Sequence, residues 1–254
     1  MKKFVHQLAA AIIFFTRIPL WKWINIPSER FSEIIYLWPL TGWITGGVTA
    51  LAFWGFSILF PPMIAIILAL GVRVLLTGGL HEDGLGDFMD GFGGGKSKED
   101  ILRIMKDSHI GNYALVGLIF YYLITTNTLV ALPHDVIAFM IFSADSLSKT
   151  FTVVMINTLP YVRTVSQSKS KTEYKKAYLS QIIFSFIVGL SPFCIFVPYQ
   201  LWISLLAPIF VVFLIRLYSL KKIGGYTGDI CGATALLAEL SLYIFTLLYY
   251  NVLR

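Results

Sequence analysis

Apolar positions along this chain come in long blocks rather than at the spacing of amphipathic helices or alternating strands. Seven apolar runs, 35–59, 63–80, 113–132, 136–158, 178–197, 201–219 and 230–252, are separated by short polar stretches. A helix that crosses a hydrocarbon core about 30 Å thick needs about 20 such residues. Backbone amides in lipid must be satisfied within the segment, and the runs are too long and too evenly apolar for barrel strands, so helices are predicted. The expected fold is all-α. It is a polytopic membrane bundle of six to seven transmembrane helices with short interfacial helices, forming one domain over 1–254.

Composition supports this class. The chain is 57% apolar and 13% charged, whereas soluble domains carry about a quarter charged residues. The bilayer is therefore an implied partner, and no nucleic acid is. The N-terminal run FVHQLAAAIIFFTRIPLW is short between Lys3 and Arg17. No small-residue cleavage site follows it, so it reads as an interfacial or re-entrant helix rather than a removed signal peptide. Cys194 and Cys231 lie in apolar context, read as small buried hydrophobes, and imply neither a disulfide nor a metal framework. The sequence is compatible with a homo-oligomer.

Basic residues sort by loop. Lys2, Lys3, Arg17, Lys22 and Arg30 precede the first run, and Lys96, Lys98, Arg103 and Lys106 follow the second. Arg163, Lys169, Lys171, Lys175 and Lys176 follow the fourth, and Lys221 and Lys222 follow the sixth. The alternate connections, near 61, 133 and 198, contain no Lys or Arg. By the positive-inside rule the basic loops face the cytoplasm. The protein is expected in the cytoplasmic membrane, with any site among those loops on the cytoplasmic side.

One such loop carries the chemistry. In TGGLHEDGLGDFMDGFGGGKSKEDILRIMKDSHIG, residues 77–111, Asp83, Asp87 and Asp90 are spaced i, i+4 and i+7. On a helix these lie within about 60° on one face. The expected helix continues the second span into the interface. Gly84 and Gly91 form an adjacent stripe where another helix or a ligand can approach closely. Three like charges near lipid call for a cation, and an oxygen-only set selects a hard ion such as Mg²⁺ or Mn²⁺ over zinc. A solvated acidic helix end has the same spacing, but the neighbouring residues weigh against it.

Ser97 and Asp100 resemble a capping box that opens a short helix from about 98 to 107. Arg103 and Asp107 are one turn apart on it, with Lys106 beside them. Basic groups near a carboxylate-held divalent ion suit a pyrophosphate. A second glycine-rich loop, KKIGGYTGDICGA, places Thr227, Gly228 and Asp229 on the same membrane face. It reads either as a phosphate cradle or as a plain turn between helices. His81 reads as a general base, a donor to phosphate, or a cap. Within the spans, Arg73, Asp145, Lys149 and Glu239 are functional candidates by position, and Asp145 and Lys149 are spaced to pair. The aromatics, including Trp38, Trp43 and Tyr249, read as interface belt and packing rather than as a base-stacking surface.

At these residues the chain resembles the cobalamin-5'-phosphate synthase family, also called adenosylcobinamide-GDP ribazoletransferase. The likeness is carried by FFTRIP at 14–19, WPLTG at 38–42, TGGLHEDGLGDFMDG at 77–91, RIMKDSHIG at 103–111 and GGYTGD at 224–229. It implies a Mg²⁺-dependent phosphotransferase that joins adenosylcobinamide-GDP to α-ribazole or its 5'-phosphate and releases GMP. It implies a centre of His81, Asp83, Asp87 and Asp90, the aspartates holding metal, with Arg103, Lys106, Asp107, Ser108, Arg163, Thr227 and Asp229 around the substrate. The chain departs from the family pattern at Glu82, where an apolar residue is usual, at Lys149, where an Arg is common, and at Leu236, often a Glu. Two rival readings are a CDP-alcohol phosphotransferase of lipid synthesis, whose opening DGxxAR motif is missing here, and a transporter, which would hold its ionisable groups at the bilayer midplane.

Overall fold

The computed structural model describes residues 2–163 and 174–253. Lys169 and Lys171 lie outside the described residues. The described residues form an all-helical bundle: α1 (Lys2–Phe15), α2 (Trp38–Ser57), α3 (Pro62–Thr77), α4 (Leu80–Gly94), α5 (Lys98–Ile104), α6 (Asn112–Ala131), α7 (His134–Thr158), α8 (Leu179–Phe196), α9 (Leu206–Ile223) and α10 (Gly228–Leu248). Short 3₁₀ turns fill 20–22, 28–33, 35–37 and 199–205, and a π turn spans Tyr249–Leu253.

Helix α7 is the centre of the bundle and is buried along most of its length. It packs against α2 through glycines rather than large side chains. A Cβ on Gly42 would come within 2.5 Å of the Ser146 Cα, and one on Gly46 within 2.9 Å of the Asp145 Cβ. Small residues are how membrane helices gain close van der Waals contact when lipid offers no hydrophobic incentive to associate. The hydroxyls of Thr41, Thr45 and Thr49 donate to the carbonyls of Trp38, Thr41 and Thr45, which keeps polar groups satisfied inside α2. The large exposed apolar residues sit on the outer helices, such as Leu115, Ile119 and Phe120 on α6 and Phe210, Phe213 and Leu217 on α9. Those faces meet lipid.

Among the described residues five helical segments are long and apolar enough to cross a membrane, or six if the bent pair α3–α4 counts as one span. The first predicted run falls short despite its length, because α2 is rich in Gly and Thr. The second is shorter than expected. Helix α3 stops at Thr77, and α4 leaves it at 92° instead of continuing it. Gly78 and Gly79, at φ of 70° and 73°, make that corner, a backbone region that costs glycine nothing. The Arg17 guanidinium sits where a Cβ on Gly78 would be, and the Arg17 N–H donates to the Leu76 carbonyl at 2.7 Å. A cation is favoured at this helix C-terminus.

Two further expectations are refined. Trp38 is 3% exposed, so it belongs to the packing rather than to an interface belt. Cys194 is exposed on α8, and only Cys231 is buried.

Candidate active site

The starts of α2, α4 and α10 meet the C-terminal part of α7 around a cavity of about 370 Å³. Its polar lining includes His81, Asp83, Lys149, Thr152, Arg163 and Asp229, and its aromatic lining Phe14, Phe15, Trp38, Tyr161 and Tyr174. This is the end of the bundle to which the basic connections belong.

Close helix approach places the first two groups. A Cβ on Gly84 would sit 2.9 Å from the Asp229 carbonyl oxygen, and Gly84 and Gly232 face each other. The predicted glycine stripe thus lets α4 lie against α10, which brings His81 and Asp83 beside Asp229. Gly91 does the same against α5, next to Ile101 and Met105. His81 is buried and stacked on Phe15, centroids 5.5 Å apart at 18°. Its Nε2 is buried and has no hydrogen-bond partner among the described residues.

Arg163 reaches the cavity through a loop pairing. The Tyr226 N–H donates to the Pro160 carbonyl at 2.9 Å, and the Val162 N–H to the Tyr226 carbonyl at 3.1 Å. Gly225 lies against the Pro160 carbonyl so closely that a Cβ has no room. Arg163 then binds Asp229 at 2.9 Å, both side chains being buried, while its Nη2 has no partner among the described residues. Thr227 caps α10, accepting from the Ile230 N–H at 3.3 Å, and its hydroxyl donates to Asp229 at 3.3 Å. Its role here is to orient that carboxylate.

Lys149 is the second cation of the cavity. It pairs with Asp145, as the i, i+4 spacing predicted, and also donates to the Thr45 hydroxyl at 3.2 Å. Thr45 in turn donates to Asp145 at 2.6 Å. The ammonium lies 5.5 Å from the Phe15 ring centroid, within cation–π range. Behind the cavity a second network closes. Arg73 binds Glu239 at 2.7 Å and the Tyr121 hydroxyl at 2.9 Å, and lies 3.7 Å from Glu82. Tyr243 and Tyr122 donate to Glu239 at 2.6 Å and Glu82 at 3.2 Å. Buried charges survive only when paired and hydrogen-bonded in this way.

The remaining predicted residues are placed elsewhere. Both oxygens of Asp90 are engaged at the start of α6, accepting from Gly111 N at 2.7 Å and Ala114 N at 2.9 Å. Asp87 lies one turn beyond Asp83 and does not line the cavity. Ser97 caps α5 as expected, but that helix ends at Ile104, and Arg103 pairs with Asp100 at 3.4 Å rather than with Asp107. Asp107 is bound by His109 at 2.6 Å, which holds its carboxyl below the usual range. Arg103, Lys106, Asp107 and Ser108 are exposed and outside the cavity lining. The aromatic lining was missed. Its signal in the sequence is that Phe14, Phe15 and Trp38 belong to the FFTRIP and WPLTG motifs.

A bundle of apolar helices that gathers two cations, two carboxylates and an imidazole around one cavity defines a polytopic membrane protein with a charged cavity at one end of its bundle. The chain belongs to the cobalamin-5-phosphate synthase family, whose model matches residues 7–247. Similar proteins include the adenosylcobinamide-GDP ribazoletransferases of Shewanella baltica (strain OS185), 35% identical over 99% of this chain and 97% of the relative, and of Shewanella frigidimarina (strain NCIMB 400), 37% identical over 96% of each. That of Shewanella oneidensis is 34% identical over 99% of this chain. No solved structure matches the chain.

Proposed function

We propose that this protein is an adenosylcobinamide-GDP ribazoletransferase that joins the cobinamide phosphate to α-ribazole or its 5'-phosphate and releases GMP, with its site on the cytoplasmic face. The observation that carries the reading is the meeting of His81, Asp83, Lys149, Arg163 and Asp229 in one cavity of a chain similar along its whole length to such enzymes. The basic connections at that end of the bundle support the orientation.

In the proposed reaction the ribazole 3'-hydroxyl attacks the phosphorus attached to cobinamide. A new P–O bond forms, the P–O bond to GMP breaks, and GMP leaves with the electron pair. The His81 Nε2, buried and without a partner among the described residues, takes the hydroxyl proton. Arg163, whose Nη2 likewise has no partner among the described residues, and Lys149 offset the charge of the diphosphate, as fixed cations do where charge develops.

Magnesium fits the donor set in one respect. Among the described residues no three His, Cys, Asp or Glu side chains form a ready-made cage. Mg²⁺ usually keeps several waters and is held by one or two carboxylates together with substrate phosphates. Asp83 and Asp87 would hold it, and when bound it supplies neutralisation of the phosphate oxygens. Asp90 is assigned to shaping the α4–α6 corner.

The test is GMP release by detergent-purified protein given adenosylcobinamide-GDP and α-ribazole, with Mg²⁺ and with excess chelator. The reading predicts GMP in step with cobalamin, only with acceptor present and only with the metal. A transporter would form no GMP, and activity in chelator would remove magnesium from the scheme.

A further inference from the structure

Four rings from three separate segments converge on one end of the cavity. Phe14 and Phe15 end α1, Trp38 begins α2, and Tyr174 follows the α7 region. Phe15 and Trp38 meet edge to face at 5.0 Å and 81°, Trp38 and Tyr174 at 5.1 Å and 87°, and Phe14 and Tyr174 at 5.9 Å and 83°. Such pairs are common in protein cores, but these rings also border open volume. Within that lining Trp38 carries a buried Nε1 with no hydrogen-bond partner among the described residues. A buried indole N–H normally has one.

We infer that this aromatic box is the acceptor subsite and that it holds the benzimidazole ring of the ribazole, the Trp38 N–H donating to the ring's one free nitrogen. The inference rests on the function proposed above and names where one substrate sits. The chemistry selects among the rings on offer. The dimethylbenzimidazole of ribazole is flat and mostly apolar, with one acceptor nitrogen once the other bears the ribose, and it has no donor. Guanine carries an amide edge, an amino group and further ring nitrogens, whose buried polar atoms this wall would leave largely unpaired. The corrinoid, a macrocycle much larger than this base, is placed at the open mouth of the cavity. A ring held in the box directs its ribose toward the polar lining, where His81 awaits the hydroxyl proton.

The experiment compares Michaelis constants for the two substrates. Trp38→Leu removes the ring and is expected to raise the KM for α-ribazole about tenfold, the usual effect of losing one stacking partner. Trp38→Phe keeps a ring, loses the donor, and is expected to raise it by roughly threefold. The KM for adenosylcobinamide-GDP should stay within about twofold in both, since no contact to it is removed. A rise in that constant, with the α-ribazole constant unchanged, would overturn the proposal in favour of guanine, and no change in either would make the box simple packing. The wild-type enzyme offers a check that needs no folded variant. An imidazole riboside keeps the acceptor nitrogen but lacks the fused ring, so its KM should exceed that of α-ribazole by about tenfold; equal constants would overturn the box. If the wild type forms no GMP, it is the reaction that fails. Equilibrium dialysis of α-ribazole against wild type and Trp38→Phe then tests the box alone, weaker binding to the variant supporting it and equal binding overturning it.

Discussion

Arg163, on the segment after α7, and Asp229, in the first turn of α10, form a buried ion pair at 2.9 Å that locks the 160–163 segment to the start of α10. Removing one partner of such a pair leaves a buried charge uncompensated, at a cost of about 3–5 kcal/mol. Asp229→Asn is therefore expected to lower thermal stability in detergent markedly and to abolish turnover. An apolar pair, Arg163→Met with Asp229→Leu, should regain much of the stability and none of the activity. Parallel melting and GMP-release measurements check both halves, and a stable, active Asp229→Asn would refute the locking role.

The three aspartates of α4 should separate into two kinds. Asp83→Asn and Asp87→Asn are expected to reduce kcat by about 100-fold or more at unchanged melting temperature, since each removes one of the two carboxylates proposed to hold the metal. Asp90→Asn should instead lose about 1–2 kcal/mol of stability, because both its oxygens accept from the start of α6 and an amide nitrogen can replace neither as an acceptor, leaving one N–H unpaired. A magnesium titration of each variant decides, and a metal-dependent defect confined to Asp90→Asn would reverse the assignment.

Arg103 lies on the exposed helix α5, within the loop region that joins α4 to α6, and pairs with Asp100. Exposed pairs contribute little to stability, so Arg103→Ala is expected to melt as the wild type does. If the loop only gathers the nucleotide, the KM for adenosylcobinamide-GDP rises by about fivefold with kcat intact. A fall in kcat of comparable size would bring Arg103 into the reaction itself.

Glu33 binds Lys175 at 3.1 Å, Lys3 at 3.3 Å and Arg30 at 3.2 Å, tying the N-terminal helix to its neighbours. The Lys175 hydrogen bond, with Lys3, holds its pKa down at about 2 against an ordinary 4.5. A depressed carboxylate pKa gives stability that is complete above the ordinary value and is lost as pH falls toward the folded one. Between pH 4.5 and 2 the wild type should therefore lose more melting temperature than Glu33→Gln, which has nothing there to titrate. Equal pH slopes would show the contacts to be energetically idle.

Much of this was legible in the sequence because it is local. Long apolar runs report helices, the Ser97 cap and the Asp145–Lys149 pair follow from spacing, and the Gly84 and Gly91 stripe correctly announced close helix approach. What the sequence hid is direction and long-range partnership. Hydropathy counts residues and is blind to heading, so the 92° corner at Gly78 and Gly79 passed as part of one span. The i, i+4, i+7 spacing defines a face of α4 but cannot say that the N-terminus of α6 will occupy part of it. Trp38 resembled an interface residue because its burial depends on α1 folding back beside it, which no local pattern encodes.

The early end of α3 also bears on how the protein enters the membrane. Sixteen residues rise about 24 Å at 1.5 Å per residue, less than the roughly 30 Å a hydrocarbon core requires. Its predecessor α2 is long enough but diluted by glycine and threonine. Neither would partition alone with confidence at a translocon that weighs segments one at a time. Joined by the tight Pro61–Pro62 turn, they form a helical hairpin whose two arms are expected to insert together, a pair of weak segments acting as one strong one.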